Sequence, residues 1–453
     1  MLSVKYKPYP KMKNSGIEWI GEIPEEWKVT KLGYFVNSTQ LGTNVVADSD
    51  SKSGIFLLKM GNMQFGSFNL NKVEHVNPNE VENFQSLVLK KGDFLFNTRN
   101  SADLVGKCGV WTETNLYGIF NNNILRIYFD NRLEPLFVSY FLNSSIGYTL
   151  LRQKINQTTN VGAIYYKDLS NVMLFLPLLE EQKQIVEFLD KKTVKIDSKI
   201  QKNQKLVTLL QEKRQATINH AVTKGLDPNV PMKDSGIEWI GEIPEFWEQV
   251  KLKHISQIRG RVGWKGYTVE DLVDDGALVI GAKHIQDFHL DLSDAEHLSW
   301  SKYYESPEIM VKVNDLLLVQ RGSLGKAVLI DKDFGPMTIN PSMILITKFN
   351  EEPKFLWYQF QSNLIQNVVE SIKQATAVPM ISQENVKEFR LLLPIKSEQQ
   401  QISDFLDKQT AKIDSLISIT QIQIEKLQEF RQSLISAAVT GKIDVRTNHE
   451  EVN

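Results

Sequence analysis

The chain carries one passage twice. Residues 12–27 read MKNSGIEWIGEIPEEW and residues 232–247 read MKDSGIEWIGEIPEFW, identical at 14 of 16 positions. A second passage recurs later in each half. It reads EQKQIVEFLDKKTVKID at 181–197 and EQQQISDFLDKQTAKID at 398–414, identical at 12 of 17. A unit written twice restricts the fold to an internal duplication with a pseudo-two-fold relation. Such a chain suits a target with two sites, and duplex DNA is the leading candidate.

The offset between the copies drifts. It is 220 at the opening passage and 222 where GIFLLKMGNMQ (54–64) meets GALVIGAKHIQ (276–286). It falls to 219 at Gly106-Lys107 against Gly325-Lys326, and settles at 217 from Leu176-Pro177 against Leu393-Pro394 onward. The ends of each unit keep their text while the middles diverge. The frame is shared and its contents differ.

The middles read as mixed strand and turn. KKGDFLFNTRN (90–100) and KVNDLLLVQRG (312–322) each give a turn, a short apolar run and a polar loop. YGIFNNNILRIYF (117–129) and PMTINPSMILITKF (336–349) repeat that pattern, and helices are expected near 134–153 and 353–372. Each globular part reads as a small α+β domain.

After Leu176-Pro177 and Leu393-Pro394 the character changes. Glycine is absent until Gly225 and Gly441, and apolar residues take a 3-4 spacing. The first copy aligns Leu189, Ile196, Ile200, Asn203, Val207, Leu210, Arg214, Thr217 and Ala221. The second aligns Leu406, Ile413, Ile417, Thr420, Ile424, Leu427, Arg431, Leu434 and Ala438. This is the 3.5-residue period of a coiled-coil seam, and its polar members can fix register. Each helix of about 44 residues spans about 65 Å. It needs a partner for its seam. The other copy, running antiparallel, is the simplest partner, and a separate partner subunit for each helix is the alternative.

The totals set outer limits. A chain of 453 residues exceeds one hydrophobic core. A hydrophobic content of 42% is ordinary for a soluble globular protein. No apolar run is long enough to span a membrane, and MLSVKYKPYPKMK has no apolar signal-like core. The single cysteine, Cys108, excludes an internal disulfide framework and reads as a buried filler. The net charge is −2, and residues 231–395 carry 17 Lys and Arg against 23 Asp and Glu. If that acidic half meets phosphate, it needs a local basic face or a partner that supplies one.

The SGIEWIGEIPEEW opening, the Gly-Asp-plus-apolar strand before Arg99, the LP…EQ…I…FLD helix start and the AAVTGKIDVR stretch (437–446) together resemble the specificity subunit of type I restriction-modification enzymes. The resemblance covers essentially the whole chain. It implies an α+β architecture in which two pseudo-two-fold-related target-recognition domains are joined by two long antiparallel coiled-coil helices. The boundaries expected are 1–178 for the first domain, 179–224 for the first helix and 225–231 for a linker. The second domain follows at 232–395, the second helix at 396–441 and a tail at 442–453. Each domain would read one half of a bipartite DNA sequence. The helices would set the spacing and dock two methyltransferase subunits, and the complex can also recruit restriction (motor-nuclease) subunits. S-adenosylmethionine, ATP and magnesium would belong to those partners, in a bacterial or archaeal cytoplasm. The competing reading is a coiled-coil adaptor that never touches DNA.

Candidate contacts lie where the copies diverge. Arg99 and Arg321 follow equivalent strands, with Lys107 and Lys326 beyond; arginine can grip guanine and lysine can meet phosphate, while solvated loop charges are the plainer reading. Gln320 is a weaker candidate beside Arg321. Asn121 and Asn122 suit a turn or an adenine contact. Arg259, Arg261, Trp264 and Lys265 make a basic, glycine-rich stretch in the acidic half. Gln157, Thr158 and Asn160 match Gln374 and Thr376 as polar loops, with capping as the alternative. The tryptophans Trp19, Trp27, Trp239 and Trp247 read as an apolar clasp rather than a stacking surface. The spacing of His284, Asp287 and His289 is a weak metal signal, so no metal is expected. The chain has no Walker loop, no dinucleotide fingerprint and no nuclease carboxylate cluster. Asn340-Pro341-Ser342-Met343 lacks the second proline and the aromatic of an amino-methyltransferase. The chain is therefore expected to be non-catalytic.

Overall fold

A computed structural model describes residues 6–18, 20–46, 54–113, 116–157, 161–261, 266–375 and 379–446. The chain divides into two compact units. One comprises residues 1–203 with 422–453, and the other residues 204–421. Each long helix, Leu179–Lys224 and Lys396–Val439, is shared between the units, dividing at 203/204 and at 421/422.

In the first unit a four-stranded antiparallel sheet runs in the order Val36–Leu41, Ile124–Phe129, Phe94–Asn97, Cys108–Val110. A smaller sheet orders Gly118–Phe120, Ile55–Leu58 and Glu74–Val76, with the first pair parallel. The strand Phe94–Asn97 is buried along its length because both its faces are covered. Phe94 and Phe96 pack with the helix Pro135–Asn143 and the long helices, while Leu95 turns to the other side with Trp111, Phe120 and Ile124. Successive residues thus feed two cores, as the period of a strand requires.

The second unit repeats this scheme. Its four-stranded sheet orders Gln257–Gly260, Met343–Thr347, Leu316–Val319 and Ala327–Leu329. Leu316 and Leu318 face one core, and Leu317 and Val319 the other. The second sheet here has five strands rather than three. The expected helices near 134–153 and 353–372 are Pro135–Asn143 with Ser145–Arg152, and Pro353–Gln361 with Asn363–Gln374.

The repeated passages build the frame of each unit. Trp27 and Trp247 are buried, and their indole N–H groups donate to Glu181 and Glu398 in the first turn of each long helix, at 3.2 and 3.3 Å. The neighbouring Gln182 accepts from Glu134 N–H and donates to Pro177 O. Gln399 does the same with Glu352 and Pro394. Asp190 and Asp407 then accept from the hydroxyls of Tyr140 and Tyr358. Each Glu-Gln pair therefore ties a helix start to a clasp and to the adjacent short helix. Trp239 stays about half exposed, so only one tryptophan of that clasp is buried in it. Trp19 lies outside the described residues.

The far end of each helix seats on a clasp too. Lys224 donates to the carbonyls of Ile240 and Glu242, and Lys442 to those of Ile20 and Glu22. Gly225 and Gly441 adopt positive φ of 76° and 69°, and a side chain at Gly441 would strike Pro24.

Within each unit the two long helices run antiparallel. In the first, Asp197 meets Arg431 and Asn203 meets Gln423, so one number rises as the other falls. In the second, Arg214 meets Asp414. Of the seam residues, Leu189, Ile196, Ile200, Leu406 and Ile413 are buried, and Val207, Leu210, Ile417, Ile424 and Leu427 are half-buried.

Candidate nucleic-acid interface

In the first unit three loops meet at one rim of the four-stranded sheet. The turn Asn121–Asn123 is anchored by Asn121 N–H donating to Leu58 O at 3.0 Å. The loop after Asn97 joins it, with Thr98 N–H donating to Asn123 O at 2.8 Å. The segment Gly162–Ala163 then pairs with Arg99–Asn100, and Ile164 N–H donates to Thr98 O at 2.9 Å.

The second unit builds the same rim with the same bonds. Asn340 N–H donates to Ile280 O, Gln320 N–H to Ser342 O and Ile381 N–H to Gln320 O, at 2.9, 2.9 and 3.0 Å. Allowing for the drifting offset, these are the same three positions. The backbone of the rim is thus duplicated while its side chains are so only in part. Asn122, Asn123 and Tyr165 on one correspond to Pro341, Ser342 and Ser382 on the other, whereas Arg99 with Arg321 and Gln157 with Gln374 keep their residue type.

Arg99 and Arg321 are exposed at these rims. The Arg99 guanidinium lies 5.9 Å from the centre of the Tyr165 ring, and Arg321 Nε donates to Met380 Sδ at 3.2 Å. Asn121 accepts from Asn123 N–H and so shapes its own turn. A cleft of about 670 Å³ opens beside Asn121, lined also by Lys59, Asn69, Asn71 and Lys72. Asn122 is half-buried at the rim, and Gln157 is exposed on a strand paired to Gly162. Gln320 donates to Pro341 O at 2.7 Å, bracing its rim. Gln374 ends a twelve-residue helix whose counterpart in the first unit has eight, so the matched glutamines sit on unlike elements.

Other candidates lie elsewhere or face inward. Lys107 lines a cleft of about 1090 Å³ with Phe65, Tyr140, Asp190 and Arg431, on the side of the long helices. Partial burial there pushes its ammonium pKa down. Lys326 stands 3.6 Å from Asp287. Arg259 is exposed, but Arg261 is buried and donates to Ile339 O and Thr338 Oγ1 at 2.9 and 3.0 Å, with Tyr267 beneath it. Its guanidinium is committed to the interior, which is a structural rather than a contacting role. Two residues apart, they would share a face of an unbroken strand; the strand ends at Gly260, and Arg261 turns inward past it. Trp264, Lys265, Thr158, Asn160 and Thr376 lie outside the described residues.

His284 is buried, and its Nδ1 accepts from Gly281 N–H at 2.9 Å. It stands where Asn62 stands in the first unit, whose Oδ1 accepts from Lys59 N–H at 3.0 Å. The imidazole therefore caps a turn. Asp287 pairs with Lys326 and His289 lies against Trp357, so the three do not assemble a ligand set. Among the described residues no cluster of metal-ligating side chains occurs, and no helix is long and apolar enough to cross a membrane.

Sequence reading missed Tyr165 and Met380. Tyr165 aligns with Ser382 and Met380 with Ala163, so the comparison of the copies marks neither.

A family model described as the type I restriction modification DNA specificity domain matches residues 24–208 and again 244–426. The putative type I restriction enzyme MjaX specificity subunit of Methanocaldococcus jannaschii is 24% identical, covering 94% of this chain and 96% of that relative. The MjaVIII specificity subunit of the same organism is 22% identical, covering 94% of each. A chain solved in work on complex assembly and conformational transition of the type I R-M system superimposes with a TM-score of 0.70. It is 16% identical and covers 93% of this chain and 99% of that one. The HsdS subunit from Thermoanaerobacter tengcongensis gives a TM-score of 0.50 at 15% identity, covering 93% and 98%. Two matched regions, each holding one rim and the start of one long helix, make the assignment: the chain belongs to the type I restriction-modification DNA specificity family, as a specificity subunit with two such domains.

Proposed function

We propose that each unit reads one half of a two-part duplex sequence and that the paired helices set the gap between the halves. The observation that carries this reading is the duplicated rim, in which one hydrogen-bonded backbone presents partly different side chains in the two units. A shared backbone docks in a shared way, and differing side chains read differing bases. Arg99, Asn122 and Gln157 are the base-facing candidates of the first domain, and Arg259 and Arg321 those of the second.

Two methyltransferase subunits dock on the helix pair, and restriction (motor-nuclease) subunits can join them. S-adenosylmethionine, ATP and magnesium act in those partners, while this chain selects the sequence and performs no chemistry. The assembly works in a bacterial or archaeal cytoplasm. The acidic second domain gains its hold on phosphate from the partners around it.

The test is methylation-aware sequencing of genomic DNA from cells making this chain with its methyltransferase subunits. The modified motif should have two unlike parts and a fixed gap. Replacing residues 33–175 should change one part and leave the other part and the gap alone. A change in both parts would sink the two-reader reading.

A further inference from the structure

Arg99 and Arg321 occupy one position of the duplicated rim, yet they are supported differently. Arg99 stands opposite Ala163 in an antiparallel pair. A methyl group is too short to lie along a guanidinium. Tyr165, two residues further on and on the same face, supplies its ring instead, 5.9 Å from the Arg99 guanidinium carbon. In the second unit Met380 takes the place of Ala163, and its sulfur accepts from Arg321 Nε at 3.2 Å. Ser382 takes the place of Tyr165, and its hydroxyl caps the helix Gln383–Lys387. The small residue and the supporting residue have exchanged positions between the copies.

An exposed arginine samples many rotamers, and ordering it on binding costs affinity. A ring near the guanidinium, or a thioether accepting from its Nε, reduces that cost before DNA arrives. We propose that Tyr165 and Met380 are positioning residues that hold Arg99 and Arg321 in the extended pose in which each meets a base. This rests on the reading of the two arginines as base contacts.

The experiment uses the full chain assembled with its methyltransferase subunits. It reads the methylated motif and the affinity for duplexes carrying single-base changes. Arg99→Ala should relax one base pair of one half-site, with an affinity loss of about 5- to 150-fold on the cognate duplex. Tyr165→Ala should relax that same base pair by about two- to fivefold, and Tyr165→Phe should match the parent. Met380→Ala should relax one base pair in the other half-site, the one relaxed by Arg321→Ala. Tyr165 is 45% exposed and Met380 38%, so melting temperatures should hold. If Arg99→Ala and Arg321→Ala leave both half-sites unchanged, the arginine reading falls. If they relax the half-sites while Tyr165→Ala and Met380→Ala change nothing, or weaken all duplexes equally, the positioning role is overturned and the arginine reading stands.

Discussion

Arg431 grips Asp197 with two parallel bonds, Nε to Oδ1 at 2.8 Å and Nη2 to Oδ2 at 3.2 Å. The pair crosses between the two long helices within the first unit. Its counterpart in the second unit joins Arg214 Nε to Asp414 Oδ1 at 2.9 Å. Each arginine is a charged member of a mostly apolar seam, and each finds its carboxylate in only one helix register. The pairs are partly exposed, so their contribution is modest. Asp197→Asn should lower stability by about 0.2–1 kcal/mol in chemical denaturation. Arg431→Lys should lose a similar amount, because an ammonium cannot make the parallel pair. Exchanging the two residues should recover part of the loss.

The two tryptophans of the second clasp should behave oppositely. Trp247 is 2% exposed and bonded to Glu398, whereas Trp239 is 49% exposed. Trp247→Ala should cost about 3–5 kcal/mol. Trp239→Ala should stay within about 0.5 kcal/mol of the parent. Equal losses in the unfolding midpoint would show that the clasp is held some other way.

Arg126 is the bulkiest fully buried charged side chain among the described residues of the first unit. It pairs with Asp93 at 2.8 Å and also donates to Gln40, Ser86 O and Val88 O. The second unit places Leu345 there, and Asp315 instead accepts from the Thr347 hydroxyl. Burial pushes the Asp315 carboxyl pKa up. Arg126→Leu alone should therefore cost about 3–5 kcal/mol, since it strands a buried carboxylate. Adding Tyr128→Thr, at the position of Thr347, should return part of it by offering Asp93 a hydroxyl. Thermal unfolding of the single and double variants checks both statements.

His284 predicts a pH dependence. Its cap requires an unprotonated Nδ1, and burial, then the nearby Lys283, hold its pKa below the ordinary 6.5, against the opposing pull of Asp294 and Glu296. A depressed folded value means that the unfolded chain binds the proton more readily. The stabilisation is therefore present above 6.5 and lost as pH falls through the lower folded value. His284→Asn should keep the cap, as Asn62 does in the first unit, and remove this acid sensitivity. Melting curves of both proteins from neutral to mildly acidic pH would show the difference, and parallel curves would refute it.

The duplication made the frame legible. Trp27 and Trp247, Glu181 and Glu398, Gln182 and Gln399 recur as words because each pair does one mechanical task twice. The coiled-coil seam followed from its 3.5-residue period and its antiparallel sense from the duplication, although the acids that answer Arg214 and Arg431 sit beside the seam and carry no periodic mark. The rims were legible only as places. A basic, glycine-rich stretch cannot say which of Arg259 and Arg261 faces inward, because that depends on a sheet partner far along the chain. Arg126 was hidden for the same reason: an arginine inside ILRIYF is buried only because Asp93 and three acceptors surround it. Tyr165 and Met380 left no signal of their own, since their roles exist only opposite an arginine.

Lys224 and Lys442 hold the same pair of carbonyls on their respective clasps, and Gly225 and Gly441 make the same left-handed exit. Yet the order of the two residues is reversed, Lys224 before Gly225 and Lys442 after Gly441. What recurs is the seat and not the spelling: a lysine on either side of the left-handed residue can reach the same two carbonyls.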